Sequence, residues 1–175
     1  YTLNDVELIN KEYVESSDTI GKMCMPEQNQ DSIKVAITAT KKIRDKIKVT
    51  DISAVADLQQ AVSLDTNPVM VPITVTCSVP GVSPSDIKVT PQNLSVNLDE
   101  KETQEFVVNV SRGDTKPGKD YEVGSLTASP EKIRITGPKT LVNKIDKVNA
   151  TIALDGNTED YTQEVNLTIL SLIHI

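Results

Sequence analysis

The fold is decided by a seven-residue pattern of alternating apolar side chains that recurs in the chain. It is present in Ile52-Ser53-Ala54-Val55-Ala56-Asp57-Leu58 and again in Val148-Asn149-Ala150-Thr151-Ile152-Ala153-Leu154. In both stretches an aliphatic or alanine side chain returns at every second position. Successive side chains of a strand point to opposite faces, so this alternation predicts a strand with one buried face. The sequence therefore predicts two related strands, one in each half of the chain.

Two further matches flank this pair in the same order along the chain. Before it, Asp31-Ser32-Ile33-Lys34-Val35 corresponds to Glu131-Lys132-Ile133-Arg134-Ile135. After it, Val71-Pro72-Ile73-Thr74-Val75 corresponds to Val165-Asn166-Leu167-Thr168-Ile169. Three weak matches that keep their order indicate an internal repeat, because chance alone rarely produces them in register.

A short helix is expected between the first two matched strands of each copy. In the second copy, Leu141, Ile145 and Val148 are spaced as the apolar stripe of a helix. In the first copy, two isoleucines four residues apart indicate the same arrangement. We expect these helices near residues 41–47 and 139–145.

The predicted fold class is therefore mainly β, with two tandem copies of a small β-rich domain, each with one short helix. We place the domains at residues 1–103 and 104–175, because the charged run Asp99-Glu100-Lys101-Glu102 marks a turn or a domain junction. One continuous β-sandwich is the alternative topology. The second copy has no counterpart to residues 91–98, so we expect it to be truncated and residues 171–175 not to be native to the fold.

The same alternation predicts which side chains are buried. The chain has one Phe and no Trp, so its cores must be built from Val, Ile and Leu. In the first copy the predicted core residues are Ile33, Val35, Ile52, Ala54 and Val75. In the second copy they are Ile133, Ile135, Leu141, Ile145, Val148, Ala150, Ile152 and Leu167.

Charge and cysteine content narrow the class of partner. The net charge of −7, from 18 Lys and Arg against 25 Asp and Glu, disfavours nucleic-acid binding through phosphates. The densest basic run, residues 41–48, is expected to be a solvated face, with an anionic partner as the alternative. Cys24 and Cys77 are expected to be unbridged, with Cys77 packed in a core as a small hydrophobe.

The sequence contains no pattern typical of a catalytic or metal site. Its only histidine is His174, and it has no Cys-x-x-Cys, no histidine pair and no EF-hand spacing. Residues 155–160 are expected to form a turn instead of a calcium loop, and Gly137-Pro138 to begin a helix instead of a phosphate-binding loop. We therefore name no catalytic, cofactor-binding or metal-binding residue, and we expect that the protein is not an enzyme.

The second copy resembles a known family. Ser129-Pro130-Glu131-Lys132-Ile133-Arg134-Ile135-Thr136-Gly137-Pro138 is similar to the P-x-x-V-x-V-x-G-P core of YbbR-like domains. The strand at residues 148–154, followed by Asp155-Gly156, is similar to that family's V-x-A-x-V-D-L strand. The first copy is less similar, since Ala39-Thr40 stands where Gly-Pro is expected.

The resemblance implies extracytoplasmic domains that an N-terminal helix, outside this sequence, anchors to a bacterial cell membrane. It further implies that they bind and regulate a membrane diadenylate cyclase, the enzyme that makes cyclic di-AMP. The implied partner is that cyclase, with no nucleic acid and no cofactor. The alternative function is a structural β-sandwich stalk or adhesin module of a bacterial cell-surface protein.

Overall fold

In a computed structural model, which describes residues 1–26 and 32–171, the chain is mainly β. It divides into two compact units, Tyr1–Glu100 and the residues from Lys101 onward. The division falls within a long strand, Leu98–Ser111 (β9 below). The charged run at residues 99–102 therefore belongs to a strand and forms no turn, while the division between the two units falls within it.

The first unit contains two sheets. β1 (Thr2–Leu3), β4 (Ile33–Ile37) and β7 (Ile87–Thr90) form a sheet in the order β1-β4-β7. β2 (Glu7–Ile9), β5 (Ile52–Asp57), β6 (Val69–Cys77) and β8 (Asn93–Val96) form a second sheet in the order β2-β5-β6-β8. The remaining strand, β3 (Lys22–Cys24), pairs with the first residues of β9.

One pairing in this unit is parallel, that of β2 with β5, and its other strand pairs are antiparallel. The long strand β6 has two partners along its length. β5 pairs with residues 73–77 of β6, and β8 pairs with residues 69–72. The first half of β6 is therefore held in the sheet by β8.

The first unit also contains two short helices, α1 (Glu12–Glu15) and α2 (Lys41–Arg44). The predicted helix at residues 41–47 is thus only one turn long, and Ile47 is buried beyond its end. The prediction of a single helix in this half missed α1. Only Val14 of α1 is buried, so its sequence contains no apolar stripe that would reveal a helix.

Side chains from both sheets form one aliphatic core in the first unit. All five residues predicted to be buried here are buried, which confirms the alternation in this half. Their exposed fractions are Ile33 1%, Val35 2%, Ile52 7%, Ala54 6% and Val75 8%.

The second unit is a single sheet in the order β10-β9-β11-β12, with β10 at Lys132–Pro138, β11 at Ile145–Thr151 and β12 at Thr168–Ser171. β9 pairs with β10 in antiparallel fashion through residues 101–107, and with β11 in parallel through residues 108–111. A one-turn helix, α3 (Lys139–Val142), connects β10 to β11. Residues 112–131 and 152–167 form no helix or strand.

The core of the second unit is only partly as predicted. Val148 and Ala150 are buried, whereas Leu167 is 42% exposed. The other five predicted residues are half-buried: Ile133, Ile135, Leu141, Ile145 and Ile152. The helical stripe was misread, because Val142 is the buried residue of α3 and Ile145 already begins β11.

Buried and exposed valines of the first unit provide a matched stability test. Val71 is fully buried on β6, and Val62 is 93% exposed. We expect Val71→Ala to lower the free energy of unfolding by about 2 kcal/mol, since two buried methyl groups and their contacts are lost. Val62→Ala is expected to change it by less than about 0.5 kcal/mol. Urea denaturation measures both, and equal effects would contradict the assigned core.

A side-chain hydrogen bond joins the C-terminal ends of the parallel strands β2 and β5. Asn10 has a left-handed φ of 57°, and its Nδ2 donates a hydrogen bond of 2.8 Å to Oδ1 of Asp57. The same oxygen accepts from the backbone N–H of Gln59 at 3.0 Å. The bond from Asn10, followed by that from Gln59, lowers the pKa of Asp57 from 3.8.

Asn10→Gly keeps the left-handed backbone accessible and removes the amide donor. We expect the pKa of Asp57 to rise towards 3.8, measured by carboxyl NMR titration. Because the folded pKa is lowered, the contact stabilises the fold above the unfolded pKa, and this stabilisation is lost as pH falls through the folded value. Gln60→Ala, which removes a 3.4 Å bond to the same carboxylate, serves as control and should raise the pKa less.

Candidate interaction site in the second unit

The second unit presents an apolar sheet face built from three neighbouring strands. Val108 and Val110 of β9 lie beside Val148 and Ala150 of β11, because the two strands pair in parallel in that register. Ile133 of β10 packs against the same cluster. Alternation along each strand places these side chains on one face of the sheet.

Two segments without regular structure, residues 125–130 and 161–167, lie opposite this face and leave a cleft of about 930 Å³. Gln163 ties one of them to the chain just beyond β11, since its Oε1 accepts a hydrogen bond of 3.1 Å from the backbone N–H of Ala153. The buried core beneath the cleft consists of Val108, Val148 and Ala150.

The lining of the cleft is apolar on the sheet side and mostly uncharged on the segment side. The sheet contributes aliphatic side chains, and the segments contribute hydroxyl and amide side chains, Tyr161 and further apolar side chains such as Val165 and Leu167. The one charged side chain among the lining residues is that of Glu164. Such a surface suits an apolar or uncharged polypeptide better than an ion.

Strand edges border this cleft. Within residues 101–171, β10 and β12 are the outer strands of the sheet. An outer strand presents backbone N–H and C=O groups that another strand can pair with. The second unit therefore combines an apolar cleft with the means of recognising an extended chain.

Sequence reasoning did not locate this cleft, because it assigned residues 165–169 to a buried strand. In the structure β12 begins only at Thr168, and Leu167 and Ile169 are 42% and 52% exposed.

The other patterns considered in the sequence form local structure. The basic run at residues 41–48 is exposed except for Ile43 and Ile47, which confirms the predicted solvated face. Asp155 and Gly156 form the predicted turn: both have positive φ, and the N–H of Asn157 bonds the carbonyl of Leu154 at 2.8 Å. Gly137-Pro138 directly precedes α3, as predicted.

His174 lies outside the described residues. Within residues 1–26 and 32–171, no group of three His, Cys, Asp or Glu side chains is placed to hold a metal ion. In the same part of the chain, no helix has the length and apolar character needed to cross a membrane.

Both cysteines are free thiols, half-buried in the first unit. Burial, followed by the neighbouring Glu15 carboxylate, raises the pKa of the Cys24 thiol from 9.0 to about 11. Because the thiolate is the reactive form, this thiol is poorly nucleophilic near neutral pH. The environment of Cys24 is therefore that of a packed core thiol.

The reactivity of Cys24 is testable in a Cys77→Ser background. We expect the rate of alkylation by iodoacetamide to rise with pH to a midpoint of about 11 in the folded protein. The same protein unfolded in guanidinium serves as control, with a midpoint near the ordinary value. Glu15→Gln should lower the folded midpoint, since it removes a negative charge beside the thiolate. A folded midpoint equal to the unfolded one would contradict the assignment.

Comparison with known proteins finds a family that the second unit resembles. Residues 107–173 match the family model described as YbbR-like protein. Over 84 residues, 47% of this chain, the sequence is 29% identical to the CdaA regulatory protein CdaR of Bacillus subtilis. The matched part spans 17% of that relative's length.

A crystal structure of a YbbR-like protein from Streptococcus pneumoniae aligns with 98% of this chain and 83% of its own, at 15% identity and a TM-score of 0.46. The resemblance drawn from the P-x-x-V-x-V-x-G-P motif is confirmed by the family match that contains it. Residues 107–173 are therefore similar to the YbbR-like family.

Proposed function

We propose that this chain is a non-catalytic pair of YbbR-like domains whose complete protein binds and regulates a membrane diadenylate cyclase from the extracytoplasmic side. The observation that carries the proposal is the 29% identity over 84 residues to a protein named as a regulator of CdaA. The family match at residues 107–173 supports it. The partner is a protein, and the chain's net charge of −7 argues against a nucleic acid.

Shared connectivity supports the tandem arrangement. In the first unit, β1 pairs antiparallel with β4, and β2 pairs in parallel with β5. In the second unit, β9 takes both roles, antiparallel with β10 and then parallel with β11. A one-turn helix precedes both β5 and β11. The strand that follows each of them pairs with it in antiparallel fashion, β6 with β5 and β12 with β11. The same order of pairings in both units favours duplication over two unrelated folds.

Burial at matched positions supports the same view. Ile52 and Val148 are 7% and 0% exposed, and Ala54 and Ala150 are 6% and 5% exposed. Leu58 and Leu154, at the ends of the two matched stretches, are 0% and 8% exposed. Three matched pairs are therefore buried alike, whereas Ala56 is 0% exposed and its counterpart Ile152 is half-buried. On this basis the two domains meet within β9, close to the division after Glu100.

In the proposed mechanism the protein binds the cyclase and catalyses no reaction itself. A regulator shifts an enzyme between states only by as much as its affinity for those states differs. Couplings of this kind are typically about 1–3 kcal/mol, so the expected effect is graded. Strand edges and exposed sheet faces are the surfaces through which β-rich domains of this kind make such contacts.

The proposal predicts a change in cyclic di-AMP when the complete gene product is co-expressed with the diadenylate cyclase of the same genome. We expect the level to change by at least about fivefold relative to a version lacking these domains, which corresponds to about 1 kcal/mol of coupling. Mass spectrometry of cell extracts measures the nucleotide, and co-purification measures the contact.

A pair of variants tests whether the change in cyclic di-AMP requires the first unit to be folded or only requires the polypeptide to be present. Val71→Asp places a charge in the core of the first unit and should act like the deletion, because an unpaired buried charge is strongly destabilising. Val62→Asp changes a 93% exposed side chain and should act like the unaltered protein. An unchanged cyclic di-AMP level in every arm, with no co-purification, would reject regulation and favour the stalk function.

A further inference from the structure

The first unit carries a concentration of basic residues although the unit as a whole is acidic. Residues 34–51 contain six Lys and Arg against two Asp, whereas the other residues of Tyr1–Glu100 contain three Lys against twelve Asp and Glu. All six basic residues are exposed, and they lie on β4, on α2 and in the segment that leads to β5: Lys34, Lys41, Lys42, Arg44, Lys46 and Lys48. Positive charge is therefore concentrated in one short part of an acidic unit.

The pairing of β4 with β7 adds a further lysine to these residues. Burial alternates along β4, so Lys34 and Ala36 lie on the outer face of its sheet. Lys88 of β7 is exposed and lies directly opposite Ala36. The backbone N–H of Thr38 donates a hydrogen bond of 2.9 Å to the carbonyl of Asp86, which holds the ends of the two strands together just before α2. Lys88 therefore joins the six residues above, and we call these seven side chains the basic surface.

The carboxylates nearest to the basic surface along the chain leave its lysines unpaired. Asp51 accepts a hydrogen bond of 2.8 Å from the backbone N–H of Lys48, and Asp86 accepts one of 3.0 Å from another backbone N–H. Asp45 forms an ion pair of 3.2 Å with its neighbour Arg44. In the part of the chain that the structure describes, no carboxylate forms an ion pair with a lysine of this surface. The charge of these lysines is therefore available to an anionic partner.

Exposed apolar side chains lie beside this charge. Val49 follows Lys48 and is 50% exposed. Tyr1 is 40% exposed, and its hydroxyl donates a hydrogen bond of 3.4 Å to the carbonyl of Ile47, within the basic run. Lys and Arg beside aliphatic and aromatic side chains are the composition of surfaces that bind the interface of an anionic membrane. A soluble polyanion would contact the cations and leave the apolar side chains in water, so the composition favours a membrane.

We propose that the basic surface of the first unit docks on an anionic phospholipid membrane, with its lysines at the headgroup phosphates and Val49 inserted among the headgroups. The inference rests on the proposed function only in that this function places the protein beside a membrane. The attraction of an anionic bilayer for Lys and Arg acts within a Debye length, about 8 Å at physiological salt. Acidic residues that lie farther from the bilayer are screened, so the local excess of positive charge binds although the net charge of the chain is −7.

Co-sedimentation with lipid vesicles tests this docking. The 175-residue chain is mixed with vesicles of phosphatidylglycerol and phosphatidylcholine in equal parts, and separately with vesicles of phosphatidylcholine alone. We expect binding to the anionic vesicles only. The affinity should fall at least about tenfold when NaCl is raised from about 0.05 M to about 0.5 M, because the Debye length shrinks. Absence of binding to the anionic vesicles, or equal binding to both kinds, would overturn the proposal.

A soluble polyanion is the competing occupant, and a valine variant separates it from the membrane. Val49→Ser should weaken vesicle binding about threefold or more and leave the affinity for inorganic polyphosphate unchanged, because only the bilayer receives the apolar side chain. Val62→Ser, at a 93% exposed position outside the basic surface, should change neither affinity. Tight binding of polyphosphate together with vesicle binding that is insensitive to Val49→Ser would reject the membrane as the occupant.

Two double variants of equal net charge make the test specific to the basic surface. Lys42→Glu combined with Lys46→Glu should lower the affinity for anionic vesicles at least about tenfold, since each lysine near the bilayer contributes to binding. Lys11→Glu combined with Lys119→Glu reverses two exposed lysines outside the surface and should lower it less than about threefold. Urea denaturation shows that both variants are folded. Equal losses would reject the site in favour of net charge alone. The assay contains no cyclase, so failure of docking and failure of regulation are distinguishable.

Discussion

Each unit depends on one parallel strand pair, which joins an early strand of the unit to the strand that follows a one-turn helix, α2 in the first unit and α3 in the second. β2 lies beside β5 in the first unit, and β9 lies beside β11 in the second. Parallel strands cannot be joined by a tight turn, so the chain between them must cross over. In both units that crossover ends with a strand and then a one-turn helix, β4 and α2 in the first unit and β10 and α3 in the second. In the first unit α1 and β3 come before them.

Because the cores are aliphatic, the size of each core depends on how many strands contribute side chains to it. Among residues 1–26 and 32–100, the core of the first unit contains no aromatic side chain, and Phe106 is only half-buried in the second unit. A buried ring contributes about 150–250 Å² of apolar area, which Val, Ile and Leu must here replace by number. Those side chains are supplied by strands, so a sheet with fewer strands has a smaller core and an open face.

The sequence predicted strands and buried residues correctly where neighbouring residues alone determine them. Period-two alternation located β5 and β11 and the burial of Ile52, Ala54 and Val148, because a strand's faces are fixed by its own residues. It failed where distant parts of the chain decide. Ile145 and Val148 mimic a helical stripe with Leu141 only because a one-turn helix ends three residues before β11. The charged start of β9 is strand because partners far along the chain pair with it, which no local pattern shows.

The cleft could not be predicted from the sequence for a related reason. A cleft is a property of what packs over a sheet, and residues 163–166 have the same alternation whether or not a strand lies beside them. Alternation predicts the face that a side chain occupies only after the segment is known to be extended. The apolar pattern at Val165 and Leu167 therefore could not distinguish a strand in a closed core from an irregular segment over an open one.

Strand register explains why a degenerate repeat can still specify the same unit twice. Ile52 lies opposite Cys77, and its counterpart Val148 lies opposite Ile169. Since Ile169 corresponds to Val75 in the sequence match, the second pairing is shifted by two residues relative to the first. A shift of two leaves every side chain on its own face, whereas a shift of one would expose Val148 and Ala150. The repeat therefore preserves which face is buried more strictly than it preserves the pairing.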